Sequence, residues 1–147
     1  MRRILCAVDY SEPSLRAARL ASSLAGQCGS DLVLFNVVRL PNGRQDGIAS
    51  YLRDEHSTES PNVVVMESAQ DELARLADRL GTEGSVAVSC DIRGGDPATE
   101  IVGAAKDHKA ELLVIGHRGQ SWIAKALLGG VARRVIETAP CPVLVVR

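Results

Sequence analysis

The chain predicts an α/β fold: one domain in which helices cover both faces of an open, doubly wound parallel sheet. Three observations carry this. Short apolar runs alternate with longer stretches whose apolar residues recur at helical spacing, giving β-α-β-α-β-α-β-α-β across residues 1–147. The runs are built from Val, Ile and Leu, and aromatics are only 3% of the chain, which suits strands buried on both faces. Glycine, proline and aspartate gather where the runs end, as turn chemistry requires.

Ile4–Val8 is a continuous apolar run and reads as the first strand. It stops at Asp9-Tyr-Ser-Glu-Pro13, where Ser11 is placed to cap a helix and Pro13 fits the first turn. That helix carries Ala17, Leu20, Ala21, Leu24, Ala25 and Cys28 on one face and ends at Gly29. Asp31–Val38 is the second strand. Residues 39–60, with Pro41, Asn42, Gly43, Asp46 and Gly47, read as a flexible loop.

The next helix keeps Met66, Ala69, Leu73, Leu76, Ala77 and Leu80 in register and breaks at Gly81 and Gly84. Val86–Asp91 alternates and predicts a half-exposed edge strand. Gly94-Gly95-Asp96-Pro97 starts the following helix, with Asp96 as N-cap, Pro97 in the first position, and Ile101, Val102 and Ala105 facing inward. Leu112–Ile115 is the fourth strand, and Val143–Val146 closes the chain as an edge strand.

Composition narrows the function classes. A formal charge of −1 offers no footprint for nucleic acid or an anionic membrane surface. No apolar run approaches the roughly 20 residues that span a bilayer, and no signal-peptide pattern precedes the first strand. Cys6, Cys28, Cys90 and Cys141 are widely spaced without a C-x-x-C pair, so they read as reduced, mostly buried residues of a cytoplasmic protein rather than zinc ligands.

The informative stretch is Gly116-His-Arg-Gly119, nine residues, then Gly129-Gly130. In an open α/β sheet, ligands bind beyond the carboxyl ends of the strands, where strand order reverses. Asp9, Val37–Val38 and Gly116 all fall at such ends. Ile123, Ala124, Leu127 and Leu128 predict a short helical turn that packs downward. Two glycines inside one helix would cost roughly 1 kcal/mol each, so a break there and a new helix at Val131 is the more economical reading. The first turn of such a helix, with Gly130 as its cap, would face the same space as the 116–119 loop and make two anion-binding elements. Turns alone are the rival reading, and the spacing is neither a Walker A sequence nor G-x-G-x-x-G. His117 and Arg118 sit in the loop within reach of a phosphate; His56 and His108 read as surface residues. No nucleophile–base pair is evident, and a phosphoacceptor role for Asp9 lacks an acidic neighbour and a lysine after strand four.

Taken together, these residues resemble the universal stress protein family over nearly the whole chain. Ile4-Leu-Cys-Ala-Val-Asp9-Tyr-Ser-Glu resembles its first strand and turn, and Leu34-Phe-Asn-Val-Val38 its second strand. The glycine spacing with the ending Thr138-Ala-Pro-Cys-Pro-Val-Leu-Val-Val-Arg147 resembles its tail. The resemblance implies a Rossmann-like five-stranded sheet of order 3-2-1-4-5. In one branch it implies ATP binding, with Mg2+ in attendance, through G-x2-G-x9-G-(S/T); another branch binds no nucleotide. It implies Asp9 and Ala7 beside ribose or adenine, and Val37 offering backbone groups to the adenine. Ile115, Gly116, His117, Arg118 and Gly119 would line the ribose and phosphate, and the N–H groups of Gly129, Gly130 and Val131 would hold phosphates. It further implies a homodimer through Val143–Val146 and a regulator or sensor rather than an enzyme. Gly130 departs from the pattern, keeping a backbone N–H and lacking the hydroxyl.

Overall fold

The structure, a computed structural model, describes residues 1–39, 61–119 and 128–147. The expected loop at 39–60 and the expected turn at Ile123–Leu128 lie outside these residues, except for Arg39 and Leu128. Elements follow in the order β1 (Arg3–Ala7), α1 (Glu12–Cys28), β2 (Asp31–Val38), α2 (Pro61–Gly84), β3 (Val88–Gly94), α3 (Pro97–Asp107), β4 (Leu112–Gly116), α4 (Gly130–Thr138) and β5 (Val143–Val146). The five strands form one parallel sheet of order β3-β2-β1-β4-β5, as the resemblance implies.

Continuous apolar strands are what a two-faced sheet needs, because alternate side chains go to opposite layers. Ile4, Cys6, Leu32, Leu34 and Val114 pack with α1 and α2 against one face. Leu5, Val33, Phe35, Leu113 and Ile115 pack with α3 and α4 against the other. β3 is an edge strand and half-exposed, as its alternation predicts, but it runs from Val88 rather than Val86.

Several local expectations change. Leu20 and Cys28 are exposed, so the buried stripe of α1 is Ser14, Ala17, Ala18, Ala21, Ser22 and Ala25. Small residues there let α1 lie close to the sheet and to α2. Cys6 alone of the four thiols is fully buried, and burial pushes it up to about 12. α2 continues through Gly81 to Gly84, where sequence reading breaks it. The reason is close approach: a Cβ on Gly26 would stand 2.5 Å from the Gly84 carbonyl oxygen, and one on Gly84 would collide with the Ser22 hydroxyl. His108 is half-buried, its Nε2 2.8 Å from Asp91 Oδ2, and is not a plain surface residue.

Asp96 caps α3 as expected, accepting from the Thr99 N–H at 3.0 Å and the Thr99 hydroxyl at 2.7 Å. It also receives both guanidinium nitrogens of Arg134 on α4, at 2.9 and 2.8 Å. Hydrogen bonds from Arg134 and Thr99 hold this carboxyl well below the usual carboxylate range. A depressed folded-state value stabilises the fold above the unfolded value of about 4, and this is lost as pH falls below it. Asp96→Asn is therefore expected to cost about 0.5–1 kcal/mol at pH 7, the scale of an exposed pair. Urea unfolding of both proteins should show that gap narrowing below about pH 4; a gap unchanged at pH 2.5 would refute the assignment.

Candidate functional site

Strand order reverses between β1 and β4, so their carboxyl ends part and leave a crevice. A cavity of about 650 Å³ opens there. Its walls bring together Ala7, Asp9, Val37, Ile115, Gly116, Arg118, Gly119, Gly129, Gly130 and Val131, residues spread over more than 120 positions that the sequence reading singles out as one site. His117 is the exception. Its Nδ1 lies 3.2 Å from the Val146 carbonyl oxygen and its N–H donates to the same atom at 2.8 Å, so β5 engages it and it is absent from the wall.

The two loops at the crevice meet backbone to backbone. A Cβ on Gly116 would come within 2.8 Å of Ser14 N and 2.9 Å of the Pro13 carbonyl carbon, so glycine is required for α1 to begin where it does. A Cβ on Gly119 would strike Asp9 Oδ2. Asp9 Oδ1 accepts from the Ser11 N–H at 3.1 Å and from the Ser11 hydroxyl at 2.5 Å. Ser11 thus holds the N-cap position of α1 without capping it, because its hydroxyl goes to Asp9. The Asp9 N–H in turn donates to Ser14 Oγ, 3.3 Å away.

The helix after the double glycine starts one residue earlier than the sequence suggests: Gly129 is the N-cap of α4 and Gly130 its first residue. The Gly129 N–H donates to the His117 carbonyl at 2.8 Å, and Arg133 N–H closes the first intrahelical bond onto Gly129 O. Gly129 therefore ties the helix to the loop. The groups left without intrahelical acceptors are the N–H of Gly130, Val131 and Ala132, and all three residues line the cavity. This end carries the equivalent of roughly half a positive charge.

Several wall residues escape sequence reading. Asn36 is buried in β2, and its Nδ2 donates to the Val8 carbonyl at 2.7 Å, closing the gap between the ends of β1 and β2. A polar residue inside an apolar strand is the signal that could have found it. Tyr10 holds φ 62° in the loop after β1, a strained conformation for a non-glycine residue. Burial chiefly, and then the nearby charge of Glu72, push its phenol up to about 12. Val38, Phe35, Pro97, Ile101 and Leu128 complete a mostly apolar lining. The cationic groups on the wall are Arg39 and Arg118, and Asp9 is its carboxylate, among the described residues.

The model of the universal stress protein family matches residues 1–147. Universal stress protein MJ0531 of Methanocaldococcus jannaschii is 32% identical over 99% of this chain and 82% of its own length. Among solved structures, universal stress protein UspA from Lactobacillus plantarum superimposes with TM-score 0.77 at 22% identity, covering 99% of this chain and 97% of its own. A universal stress protein in complex with cAMP gives TM-score 0.68 at 24% identity over 99% and 96%. The universal stress protein from Archaeoglobus fulgidus in complex with dAMP gives 0.64 at 24% over 100% and 98%.

The contacts at the two loop glycines rank their substitutions. Gly116→Ala meets backbone and should cost about 3 kcal/mol, whereas Gly119→Ala meets a side-chain tip and should cost about 1 kcal/mol. Adding Asp9→Ala should relieve the second and leave the first unchanged in urea unfolding; equal behaviour of the two would contradict the geometry.

Proposed function

The chain belongs to the universal stress protein family, and from that premise we propose that it binds an adenine nucleotide in the crevice between β1 and β4. The single observation that carries the reading is that the open first turn of α4 lines the same cavity as Asp9. Charge arranges the ligand. Asp9 repels phosphate and accepts from sugar hydroxyls, so the ribose lies on its side. The phosphate lies against Gly130, Val131 and Ala132, whose N–H groups and helix dipole favour an anion, with Arg118 beside them. The base fills the apolar end formed by Ala7, Val37, Val38 and Phe35. The dAMP and cAMP held by relatives of this fold support an adenine ligand. ATP with Mg2+ is the larger form of the same proposal, the metal entering on the phosphates. Among the described residues no group of three His, Cys, Asp or Glu is arranged to hold it.

These groups suit holding a nucleotide rather than hydrolysing it, since the imidazole of the loop is bound to β5. We assign the protein a regulatory or sensing role in the cytoplasm, exercised as a homodimer through β5. Its bonds to β4 use the carbonyls of Pro142 and Val146, which leaves the N–H and C=O of Val143 and Val145 directed to the open edge. Val145→Pro removes an outward donor without touching the β4 ladder. It should turn a dimer into a monomer by light scattering; an unaltered mass would place the interface elsewhere.

A second reading, a dimeric interaction module without nucleotide, is favoured by Gly130, where the family's nucleotide-binding motif has Ser or Thr. A Cβ there meets nothing within 4 Å, so Gly130→Ser is accommodated. One added hydrogen bond should tighten AMP or ATP binding by up to about tenfold in calorimetry. Unchanged affinity would remove the hydroxyl argument. Absence of heat and of thermal shift at millimolar nucleotide would overturn nucleotide binding itself and leave the second reading.

A further inference from the structure

α4 is short and buries one narrow face. Of its nine residues only Ala132 and Val135 are buried, while Val131 and Ile136 stand exposed. Ala132 and Val135 pack into the layer shared with α3, and the first turn of the helix lines the cavity. The backbone bond from Gly129 to His117 ties its N-terminus to the loop after β4 at one point.

The second point is the pair between Arg134 and Asp96. Its geometry is bidentate, both guanidinium nitrogens meeting the two carboxylate oxygens within 2.9 Å, and such forks restrict orientation as well as distance. Asp96 is not a loose surface acid, because it simultaneously caps α3 through the Thr99 N–H and hydroxyl. The pair therefore locks the start of α3 to the body of α4. Pro97 and Ile101 of α3 and Gly130 to Ala132 of α4 line the same cavity. Both partners are well exposed, 54% for Arg134 and 39% for Asp96, so the pair contributes little to global stability. Its consequence is local.

We propose that Arg134 and Asp96 are positioning residues of the nucleotide site, setting the angle at which the first turn of α4 faces the cavity. The inference rests on the nucleotide-binding reading above.

The test uses the whole chain with AMP as probe. Arg134→Gln removes the fork, Asp96→Ser keeps an N-cap and removes the pair, and Arg134→Lys keeps the charge without the planar fork. Each of the first two should weaken AMP binding by about two- to fivefold, the range into which an exposed pair's coupling converts. The double variant should be no weaker than either alone, and Arg134→Lys should recover part of the loss. Melting temperatures should fall by no more than about 4 °C, the effect of losing an exposed pair in a chain of this size, which separates positioning from a merely structural role. Amide exchange at Gly130–Ala132 should accelerate in the ligand-free variants. Folded variants with unchanged affinity and unchanged exchange would overturn the proposal. Should the parent protein bind no AMP, the nucleotide reading falls, and amide exchange alone decides whether the clamp exists.

Discussion

Two loops touch where the strand order reverses, and the cavity keeps its shape because they do. Gly116 lets the backbone of Pro13 and Ser14 cross the end of β4, and Gly119 lets Asp9 stand against the loop that follows. A side chain at Gly116 would push the start of α1 away from the crevice, and one at Gly119 would displace the Asp9 carboxylate. The apolar layers on both faces set the strands at parallel register, and the glycines convert the gap between β1 and β4 into a cavity instead of a filled seam.

The polar groups around that gap are spent in a particular order. Ser11 gives its hydroxyl to Asp9 and leaves its own helix without a side-chain cap. Asn36 gives its amide to Val8, which seals the neighbouring strand ends. Gly129 gives its N–H to His117, which ties the loop to the start of α4. The first turn of α4, whose Gly130, Val131 and Ala132 line the cavity, is an electropositive element with its leading N–H groups outside the helix's own ladder. Asp9, Arg118 and this first turn give the cavity wall groups of both signs.

Much of the fold is legible in the chain. Continuous runs such as Ile4–Val8 and Leu112–Ile115 can be satisfied only between two apolar layers, and Asp96-Pro97 marks a helix start by local chemistry. Glycines carry more than one meaning. Gly29 ends a helix through its own backbone conformation, which a sequence can announce. Gly81 and Gly84 carry the same letter for a different reason: they face Val86 and Ser22 across packed surfaces, and no local pattern distinguishes a packing glycine from a breaker. Leu20 and Cys28 fit the apolar stripe of α1 by spacing, yet they are exposed because the small-residue stripe sets the helix closer and slightly rotated.

By itself the sequence determined the strands, the amphipathic helices, the family, and the set of positions from which a site could be built, because periodicity and turn chemistry are short-range. Tertiary structure decided how those positions are used. It turned His117 away to Val146, moved the cap of α4 to Gly129, brought Asn36 and Tyr10 to the cavity, and joined Asp96 to Arg134 across 38 residues. Each of these depends on which backbone groups come within hydrogen-bond distance after the sheet has closed, and that distance is not encoded in any one segment.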